Sequence, residues 1–297
     1  MSVRSAVRRR AAVAVAVVVA LAASGCSGAD DDAVTSTTTS TAPLVTDTVP
    51  ADCGPEVVPE GLGLELIDEV PHDPDAFTQG FLVIDGVLYE STGQRGRSTV
   101  RKVDPDTGEV LESTDLDPEL FGEGLATVGD DRLVQLTWTE GRALVWDRED
   151  LTLVGEHTYE GEGWGITTLD DGQLVMSDGS DVLTFRDPED FSVVRRIRIT
   201  RPGGAADQLN ELEWDGEHLW ANRWRTDEIV RIDLRCGRVD GVIDATALRL
   251  RAESTAEEDE PIDVLNGIAH VPDTDELLLT GKEWPSTYRV RVLPAGP

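Results

Sequence analysis

Side chains that can carry out acid–base and hydrogen-bonding chemistry recur along this chain, each at the start of a strand-like run. Successive members of the set are 44, 41, 46 and 56 residues apart: Gln79, Glu123, Trp164, Asn210 and Asn266. A carboxylate can take up and return a proton, and amide groups both donate and accept hydrogen bonds. If the fold brings these positions together, the side chains either hydrogen-bond only one another and fill a channel, or they form a site.

Glu123 and Lys282 have the clearest chemical use. Glu123 lies between two glycines in FGEGLA, where backbone can approach closely, and Phe121 and nearby tryptophans give it apolar surroundings. Such surroundings raise the pKa of a carboxyl group toward the range useful for general acid–base catalysis. Lys282 is one of only two lysines in a chain that otherwise uses arginine, which indicates a specific use for its ammonium group.

A second set of side chains stands at the ends of the second runs of the same repeats. Its members are Glu90, Trp138, Asp178, Trp224, Lys282 and Trp284. Tryptophans near one opening can wall an apolar pocket and stack on a flat group. The alternative is aromatic packing between repeats, which we expect of Trp146, Trp214 and Trp220.

The histidines give no indication of a metal site. They are isolated and lack the paired spacings typical of zinc ligands: His72, His157, His218 and His270. We therefore predict neither a metal nor another cofactor.

The repeat itself indicates which elements position these side chains. Four segments each contain four short, apolar-alternating runs separated by turns: 77–116, 123–161, 164–200 and 210–249. A repeat of about 40–50 residues built from several short strands is typical of a β-propeller blade. The last segment, 266–292, has three runs, and residues 64–70 can supply a fourth. The sequence thus predicts an all-β, five-bladed β-propeller closed by an N-terminal strand that completes the last blade, with one short helix in 244–253.

The N-terminal residues are predicted to be an export signal. Four arginines precede an apolar stretch that ends in ASGC, which resembles a bacterial lipobox with Cys26 as the lipidated residue. An ordinary cleaved signal with an incidental cysteine is the alternative, and both Sec and twin-arginine export stay open. We expect a lipoprotein-type signal peptide at 1–25, a flexible Thr-rich tether at 26–55 and the propeller at 56–297. The protein would then be exported and held at the membrane only through its lipid.

Two cysteines remain once Cys26 is lipidated, and outside the cytoplasm such a pair is more often bonded than free. Cys236 lies in the turn entering the outer strand of the fourth blade, and Cys53 lies upstream of the strand that closes the fifth. These two points fall on the same side of neighbouring blades. A Cys53–Cys236 disulfide is therefore predicted, and two free thiols are the alternative.

The charge of the chain restricts its partners. With 58 acidic and 26 basic residues, the formal net charge is −32. Such a surface repels phosphate backbones, so we expect no nucleic-acid partner. It can keep the protein soluble in a salty or crowded setting, or mildly attract a cationic ligand such as a peptide with a free ammonium group.

Short motifs in every blade resemble those of the glutaminyl-peptide cyclotransferases of the plant and bacterial type. The motifs are FTQG (77–80), YESTG (89–93), FGEG (121–124), LTW (136–138), GWG (163–165), LNELEW (209–214), ANRW (221–224), LNGIA (265–269) and TGKEW (280–284). They run in order from about Val57 to the C-terminus, and neither the acidic insert at 251–262 nor the leader touches one. The resemblance implies a five-bladed propeller unrelated to the zinc-dependent animal glutaminyl cyclases.

The resemblance also implies an activity and roles for the residues. The reaction is cyclisation of the N-terminal glutamine of peptides or proteins to pyroglutamate with release of ammonia, with Glu123 as the central acid–base residue. Gln79, Asn210 and Lys282 would bind the side-chain amide and stabilise the oxyanion. The expected enclosing side chains are Phe77, Phe121, Trp138, Trp164 and Trp224, and Asn266 joins the substrate-binding set by its place in the repeat. We expect a monomer.

Two other functions suit such a propeller less well. A surface-anchored propeller that binds peptide N-termini without turnover would not need the acid–base residues, all of which are present. A propeller hydrolase or lactonase would need metal-binding carboxylates and histidines at the channel, which the motifs lack.

Overall fold

The computed structural model describes residues 45–46, 51–257 and 262–294, all within the compact unit Ala42–Pro297. The fold is all-β, with a single α-helix among these residues, α1 (Thr246–Thr255), and a 3₁₀ helix at Ala51–Cys53. Helix α1 overlaps the short helix predicted from the sequence. No helix in the described ranges is long and apolar enough to cross a membrane. The predicted signal peptide and Cys26 lie outside the described residues.

Most of the strands form five antiparallel sheets in chain order. The first contains β3 (Thr78–Ile84), β4 (Val87–Thr92), β5 (Thr99–Val103) and β6 (Val110–Asp115). The second contains β7 (Gly122–Val128), β8 (Arg132–Thr137), β9 (Arg142–Asp147) and β10 (Leu153–Thr158). The third contains β11 (Ile166–Thr168), β12 (Leu174–Met176), β13 (Val182–Arg186) and β14 (Val193–Arg198).

The remaining sheets and strands complete the fold. The fourth sheet contains β17 (Leu209–Trp214), β18 (Leu219–Arg223), β19 (Glu228–Asp233) and β20 (Arg238–Asp244). The fifth contains β21 (Leu265–His270), β22 (Glu276–Gly281), β23 (Ser286–Leu293) and, from the N-terminal part, β2 (Glu60–Pro71). Strand β1 (Val45–Thr46) pairs in parallel with β14, and β15 (Thr200–Arg201) forms a hairpin with β16 (Gly204–Ala205).

The turn between the third and fourth strands uses the same chemistry in four sheets. It begins with an aspartate whose carboxylate accepts backbone N–H groups two or three residues later: Asp104, Asp147, Asp187 and Asp233. Aspartate favours such turns because its side chain replaces a backbone acceptor. The DPDTG signal read from the sequence is the first of these turns, and Gly108 ends it with a φ of 72°.

The first strand of each sheet, which we call its inner strand, contacts the first strand of the next sheet. The inner strands are β3, β7, β11, β17 and β21, and β21 contacts β3 again. Glycines permit this approach: a β-carbon on Gly124 would lie 2.6 Å from the amide nitrogen of Ile166, and one on Gly165 would lie 2.8 Å from the α-carbon of Glu211. A backbone hydrogen bond of 2.7 Å from Gly124 to the Trp164 carbonyl joins the second and third sheets directly.

Buried apolar clusters fill the space between each pair of neighbouring sheets, including the fifth and the first. In chain order, they contain Leu82 and Leu125, Val134 and Ile166, Val175 and Leu212, Trp220 and Ile268, and Phe81 and Leu278. Each fully buried side chain of this size contributes about 1.5–3 kcal/mol. Trp146 and Trp220 belong to these clusters and Trp214 packs against one, which confirms the packing role predicted for them.

Strand β2 joins the two ends of the chain. It pairs antiparallel with β23 over most of its length, which is the pairing predicted for residues 64–70. In addition, Glu60–Leu62 pair in parallel with β20, so that the fourth and fifth sheets form one continuous hydrogen-bonded sheet. The sequence does not indicate this second pairing. It satisfies an outer edge that would otherwise present unpaired backbone groups.

Cys53 and Cys236 are bonded, with an S–S distance of 2.02 Å and a Cα–Cα distance of 5.7 Å. The bond joins the 3₁₀ helix to the turn before β20. Of the tether predicted at 26–55, only residues 45–46 and 51–55 are described, and both pieces are held to the sheets, through β1 and through this disulfide.

We expect reduction of the Cys53–Cys236 bond to lower the free energy of unfolding by about 2–5 kcal/mol, because the two residues are 183 positions apart and reduction frees a long loop in the unfolded chain. Thermal unfolding followed by circular dichroism, with and without dithiothreitol, measures this. The double variant Cys53→Ser/Cys236→Ser should match the reduced protein and ignore the reductant. An unchanged melting temperature of the wild type on full reduction would contradict a stabilising bond.

Candidate active site

A cavity of about 300 Å³ lies at the edge of the sheets where the inner strands begin. Its lining consists of Phe77, Gln79, Phe121, Glu123, Trp138, Trp164, Asn210, Trp224, Arg225, Asp263, Val264 and Lys282. Nine of the ten residues predicted for catalysis or substrate binding are in this lining. The tenth, Asn266, is fully buried behind it.

Backbone irregularities set the leading residues apart from the regular ladder. Pairing of the inner strand with the second strand is interrupted at the same place in four sheets, and the interruptions contain Gln79, Glu123, Asn210 and Asn266. A β-bulge re-aims side chains and is frequent next to active sites. In the third sheet Trp164 precedes β11, and its N–H bonds to the Ser177 carbonyl at 3.1 Å.

The neighbouring sheet fixes the backbone of several leading residues. The Ser91 hydroxyl donates to the carbonyl of Glu123, and the Ser177 hydroxyl donates to that of Asn210 at 2.7 Å. In the same way, the side-chain oxygen of Asn222 accepts the N–H of Gly267 at 2.9 Å. Polar residues of one second strand therefore hold the next inner strand in place.

Glu123 has the electrostatic environment of a general acid–base group. Its side chain is 5% exposed, and Oε1 accepts a hydrogen bond of 3.1 Å from Nε2 of Gln79. Burial raises the pKa of Glu123 well above its ordinary value, opposed by Lys282 and reinforced by the charges of Glu162 and Glu140. The neutral carboxylic acid is thereby favoured over a wider pH range than for an exposed glutamate.

Lys282 and Asn210 carry polar groups that have no side-chain hydrogen-bond partner within the described ranges. Lys282 is buried, and its Nζ lies 4.6 Å from the centre of the Phe77 ring. Burial lowers the pKa of Lys282, while Glu123 and Asp263 act in the opposite direction. Neither the Lys282 ammonium nor the Asn210 amide hydrogen-bonds to another side chain in the described ranges. Both are therefore available to a bound molecule.

Asn266 orients Gln79 instead of lining the cavity. Its Nδ2 donates to the Thr78 carbonyl at 2.9 Å and to Oε1 of Gln79 at 3.3 Å. Because Oε1 of Gln79 is used in this way, its amide nitrogen is directed at Glu123. Asn266 thus acts on the cavity through Gln79, and it does not itself line the cavity as the predicted substrate-binding role requires.

Five aromatic side chains form the wall of the cavity. Phe121 makes edge-to-face contacts with Phe77 and Trp138, at 5.9 and 5.6 Å between ring centres, and Trp164 contacts Trp224 at 5.2 Å. One oxygen of Glu162 accepts the indole N–H of both Trp138, at 2.8 Å, and Trp164, at 2.9 Å. Glu162 therefore ties the two halves of the wall together.

Three residues of the second predicted set lie outside the lining. Glu90 is buried in an ion network with His72 and Arg101, which outweigh the effect of burial and hold its pKa at about 2. Asp178 accepts hydrogen bonds within its own turn. Trp284 is fully buried and donates its indole N–H to the Asp263 carbonyl at 2.9 Å. Strand-end position alone did not distinguish these structural side chains from Trp138, Trp224 and Lys282.

The structure adds four residues to the site that the sequence reasoning missed. Glu162, Arg225, Asp263 and Val264 each lie within two residues of a quoted motif: GWG, ANRW and LNGIA. Their closeness to a motif is the feature of the sequence that could have identified them as site residues. In the described part of the chain, no group of three or more His, Cys, Asp or Glu side chains is arranged to hold a metal ion.

Comparison with known proteins agrees with this geometry. The family model described as glutamine cyclotransferase matches residues 34–292. A glutaminyl-peptide cyclotransferase of Arabidopsis thaliana is 38% identical over 234 residues, covering 78% of this chain and 72% of the plant protein. The crystal structure of Myxococcus xanthus glutaminyl cyclase matches with a TM-score of 0.74 and 36% identity, covering 80% of this chain and all of the other.

We expect two substitutions to move the pKa of Glu123 in opposite directions. Lys282→Met removes a cation that favours the carboxylate and should raise it further, whereas Glu162→Gln removes a negative charge and should lower it. The carboxylic acid band in infrared spectra recorded against pH measures both shifts. Glu160→Gln, an exposed change two residues from Glu162, should leave the band unmoved. Shifts of the same sign in the two test variants would contradict the electrostatic description.

Proposed function

The chain belongs to the glutamine cyclotransferase family, and from this we propose that it is a glutaminyl-peptide cyclotransferase. It would convert the N-terminal glutamine of peptides and proteins to pyroglutamate and release ammonia. The observation that carries the proposal is Glu123, a buried carboxyl group of raised pKa in an aromatic cavity that also presents Gln79, Asn210 and Lys282. In classification terms it would be an acyltransferase, because the side-chain acyl group passes from the amide nitrogen to the α-nitrogen.

The cavity suits one glutamine residue. Its volume of about 300 Å³ is at the small end of ligand sites. The aromatic wall excludes water from the methylene groups of the glutamine side chain, and the free amide of Asn210 and ammonium of Lys282 can bind its polar end. Because the amine and the amide belong to the same residue, positioning supplies much of the rate enhancement.

Glu123 would move the protons. As a carboxylate it takes a proton from the α-ammonium group of the substrate. The ordinary pKa of that ammonium is about 7.7–8.0, and a carboxyl group whose pKa is raised lies closer to this value than an exposed glutamate does, which favours the transfer. The freed amine attacks the amide carbon, and a C–N bond forms while the carbonyl oxygen becomes an oxyanion beside Lys282 and Asn210. Glu123 then returns the proton to the amide nitrogen, the original C–N bond breaks and ammonia leaves. The ring nitrogen then loses its extra proton to Glu123, and Glu123 passes this proton to the departing ammonia, which leaves as ammonium. Glu123 is thereby a carboxylate again and the cycle is closed.

Gln79 would hold the carboxyl group of Glu123 in the orientation that these proton transfers need. It donates to Oε1 of Glu123, which leaves Oε2 free to carry the exchangeable proton. Asn266 prevents Gln79 from turning its own oxygen toward Glu123, since that oxygen accepts the Asn266 amide. We propose that no metal takes part, because these side chains supply both the proton transfers and the oxyanion stabilisation.

We also propose that the five sheets are the blades of a β-propeller, with the cavity at the mouth of its central channel. Three features support this: the five sheets of similar design, the closed order of contacts from β3 through β21 back to β3, and an apolar cluster between each neighbouring pair. Strand β2 would complete the last blade and close the ring. We expect the domain at 56–297 to act as a monomer.

Export and lipidation complete the proposal. The arginines and apolar stretch of residues 1–25 support export, and ASGC supports a lipid on Cys26, with the part of 26–55 that precedes the attachments at β1 and Cys53 as a tether. The site would then face the outside of the cell membrane.

We expect Glu123→Gln to lower kcat/KM at least about 100-fold and Lys282→Met at least about 10-fold, because they remove the proton carrier and an oxyanion donor. A coupled ammonia-release assay on a glutamine-initiated dipeptide measures this, and chelators should have no effect. Lys102→Met, at the other lysine of the chain, is the matched control and should be fully active; Lys102 pairs with Glu112 on the surface of the first sheet. Folded Glu123→Gln protein with full activity would overturn the mechanism.

We expect Cys26→Ser to release the protein from the membrane fraction of an exporting bacterial host, because a single acyl-bearing cysteine is the only anchor proposed. Fractionation and immunoblotting measure the distribution. Ser27→Ala should stay with the membrane. Retention in the membrane pellet of Cys26→Ser protein that has lost residues 1–25 would rule out a lipid on Cys26 as the anchor.

A further inference from the structure

Arg225 is a cation at the rim of the cavity that no acidic side chain neutralises. It belongs to the lining, is exposed, and its guanidinium carbon lies 4.1 Å from the centre of the Trp224 ring. It makes no ion pair or side-chain hydrogen bond within the described ranges. Other arginines at this edge are paired. Arg95, whose guanidinium carbon lies 6.0 and 5.8 Å from the centres of two rings of the wall, pairs with Glu140, and Arg223 pairs with Glu228.

The turn that holds Arg225 does not explain why an arginine is there. Its φ is 61°, in the left-handed region that favours glycine or asparagine. The corresponding turns of the first and fifth sheets place Gln94 and Glu283 in the same conformation, with φ of 81° and 60°. Those two side chains hydrogen-bond each other at 3.3 Å and thus have a structural use. Arg225 instead lies over Trp224, at the cavity.

The position of Arg225 relative to Glu123 determines which part of a substrate it would meet. If Glu123 receives the α-ammonium and the aromatic wall holds the glutamine side chain, the second residue of the peptide leaves through the rim. A guanidinium that lies over an indole face can keep its edge N–H groups free, and that edge matches a carboxylate with two parallel hydrogen bonds. The chain as a whole, at a net charge of −32, repels carboxylates.

We propose that Arg225 is a specificity-determining residue that binds a carboxylate on the second residue of the substrate. The carboxylate is either the side chain of an acidic second residue or the free C-terminus of a glutamine dipeptide, and both have the same chemistry. This inference rests on the proposed cyclase function and names the class of substrate that the site prefers.

The test compares matched substrates on wild type and Arg225→Gln. Gln-Glu-amide against Gln-Gln-amide isolates a side-chain carboxylate, and Gln-Ala with a free C-terminus against Gln-Ala-amide isolates the terminal one. For each pair, the kcat/KM of the substrate with the carboxylate is divided by that of its neutral partner. This ratio for wild type, divided by the same ratio for Arg225→Gln, is the quotient to be compared, and it cancels the general repulsion by the acidic surface. We expect a quotient of about threefold to tenfold for at least one pair, the range for a partly exposed, charge-assisted contact.

Control variants separate the contact from general charge. Arg225→Lys keeps the cation but not the paired donors and should give a smaller quotient than Arg225→Gln. Arg132→Gln removes an exposed arginine at the start of β8, outside the lining of the cavity, and should leave both ratios at their wild-type values. Gln-Lys-amide should become a better substrate relative to Gln-Gln-amide in Arg225→Gln.

The outcomes distinguish the two levels of the proposal. Turnover by wild type with quotients near one for both pairs would overturn the role of Arg225 and leave the cyclase function standing. A quotient above one for a single pair supports the role and identifies the source of the carboxylate. Absence of pyroglutamate from every glutamine peptide with folded wild-type protein would overturn both.

Discussion

The close approach of the inner strands is the constraint on which the rest of the structure depends. Gly124 and Gly165 have backbone of the next inner strand where a β-carbon would be, so any larger residue would push two sheets apart. This approach brings Gln79, Glu123 and Asn210, each more than 40 residues from the next, into the lining of one cavity. In four of the five sheets a glycine directly follows the leading residue, as it follows Gln79 and Glu123, and this pair has two uses. The glycine allows convergence, and the polar residue occupies the point of convergence.

The convergence of the inner strands also buries the carboxyl group of Glu123, and the site uses the resulting shift in its protonation. A carboxyl group at such a point is removed from water, which disfavours its charge. The protein does not cancel this cost with a direct ion pair: Lys282 influences Glu123 through its charge, yet no hydrogen bond joins the two side chains in the described structure. A tight pair would favour the carboxylate and fix both groups. The looser arrangement leaves Glu123 able to change protonation state and Lys282 able to bind another oxygen.

The sequence predicted much of this because the signals were local and repeated. Turn residues and alternating runs mark the strands, and the motif in each repeat marks a lining residue. The sequence does not indicate the role of a residue where that role depends on partners far away along the chain. The strand-end position of Glu90 predicts a place near the site, but His72 and Arg101 make this residue structural. No local pattern marks Glu162, since its two indole partners come from different sheets. The pairing of β2 with β20 likewise has no local pattern to reveal it.

The two edges of the sheets follow different rules, and the difference locates the site independently of any motif. At the edge with the third-to-fourth strand turns, four sheets also interrupt their strand pairing, but aspartates satisfy the backbone of the turns in the ordinary way. At the opposite edge, four sheets interrupt their first strand pairing at one place, aromatic rings border an opening, and a buried ammonium is left without a hydrogen-bond partner in the described ranges. Each departure costs stability, which the apolar clusters between the sheets can offset. A fold that adds an aromatic opening and, within the described ranges, an unpartnered ammonium to the interruptions at one edge has been selected there for something other than stability.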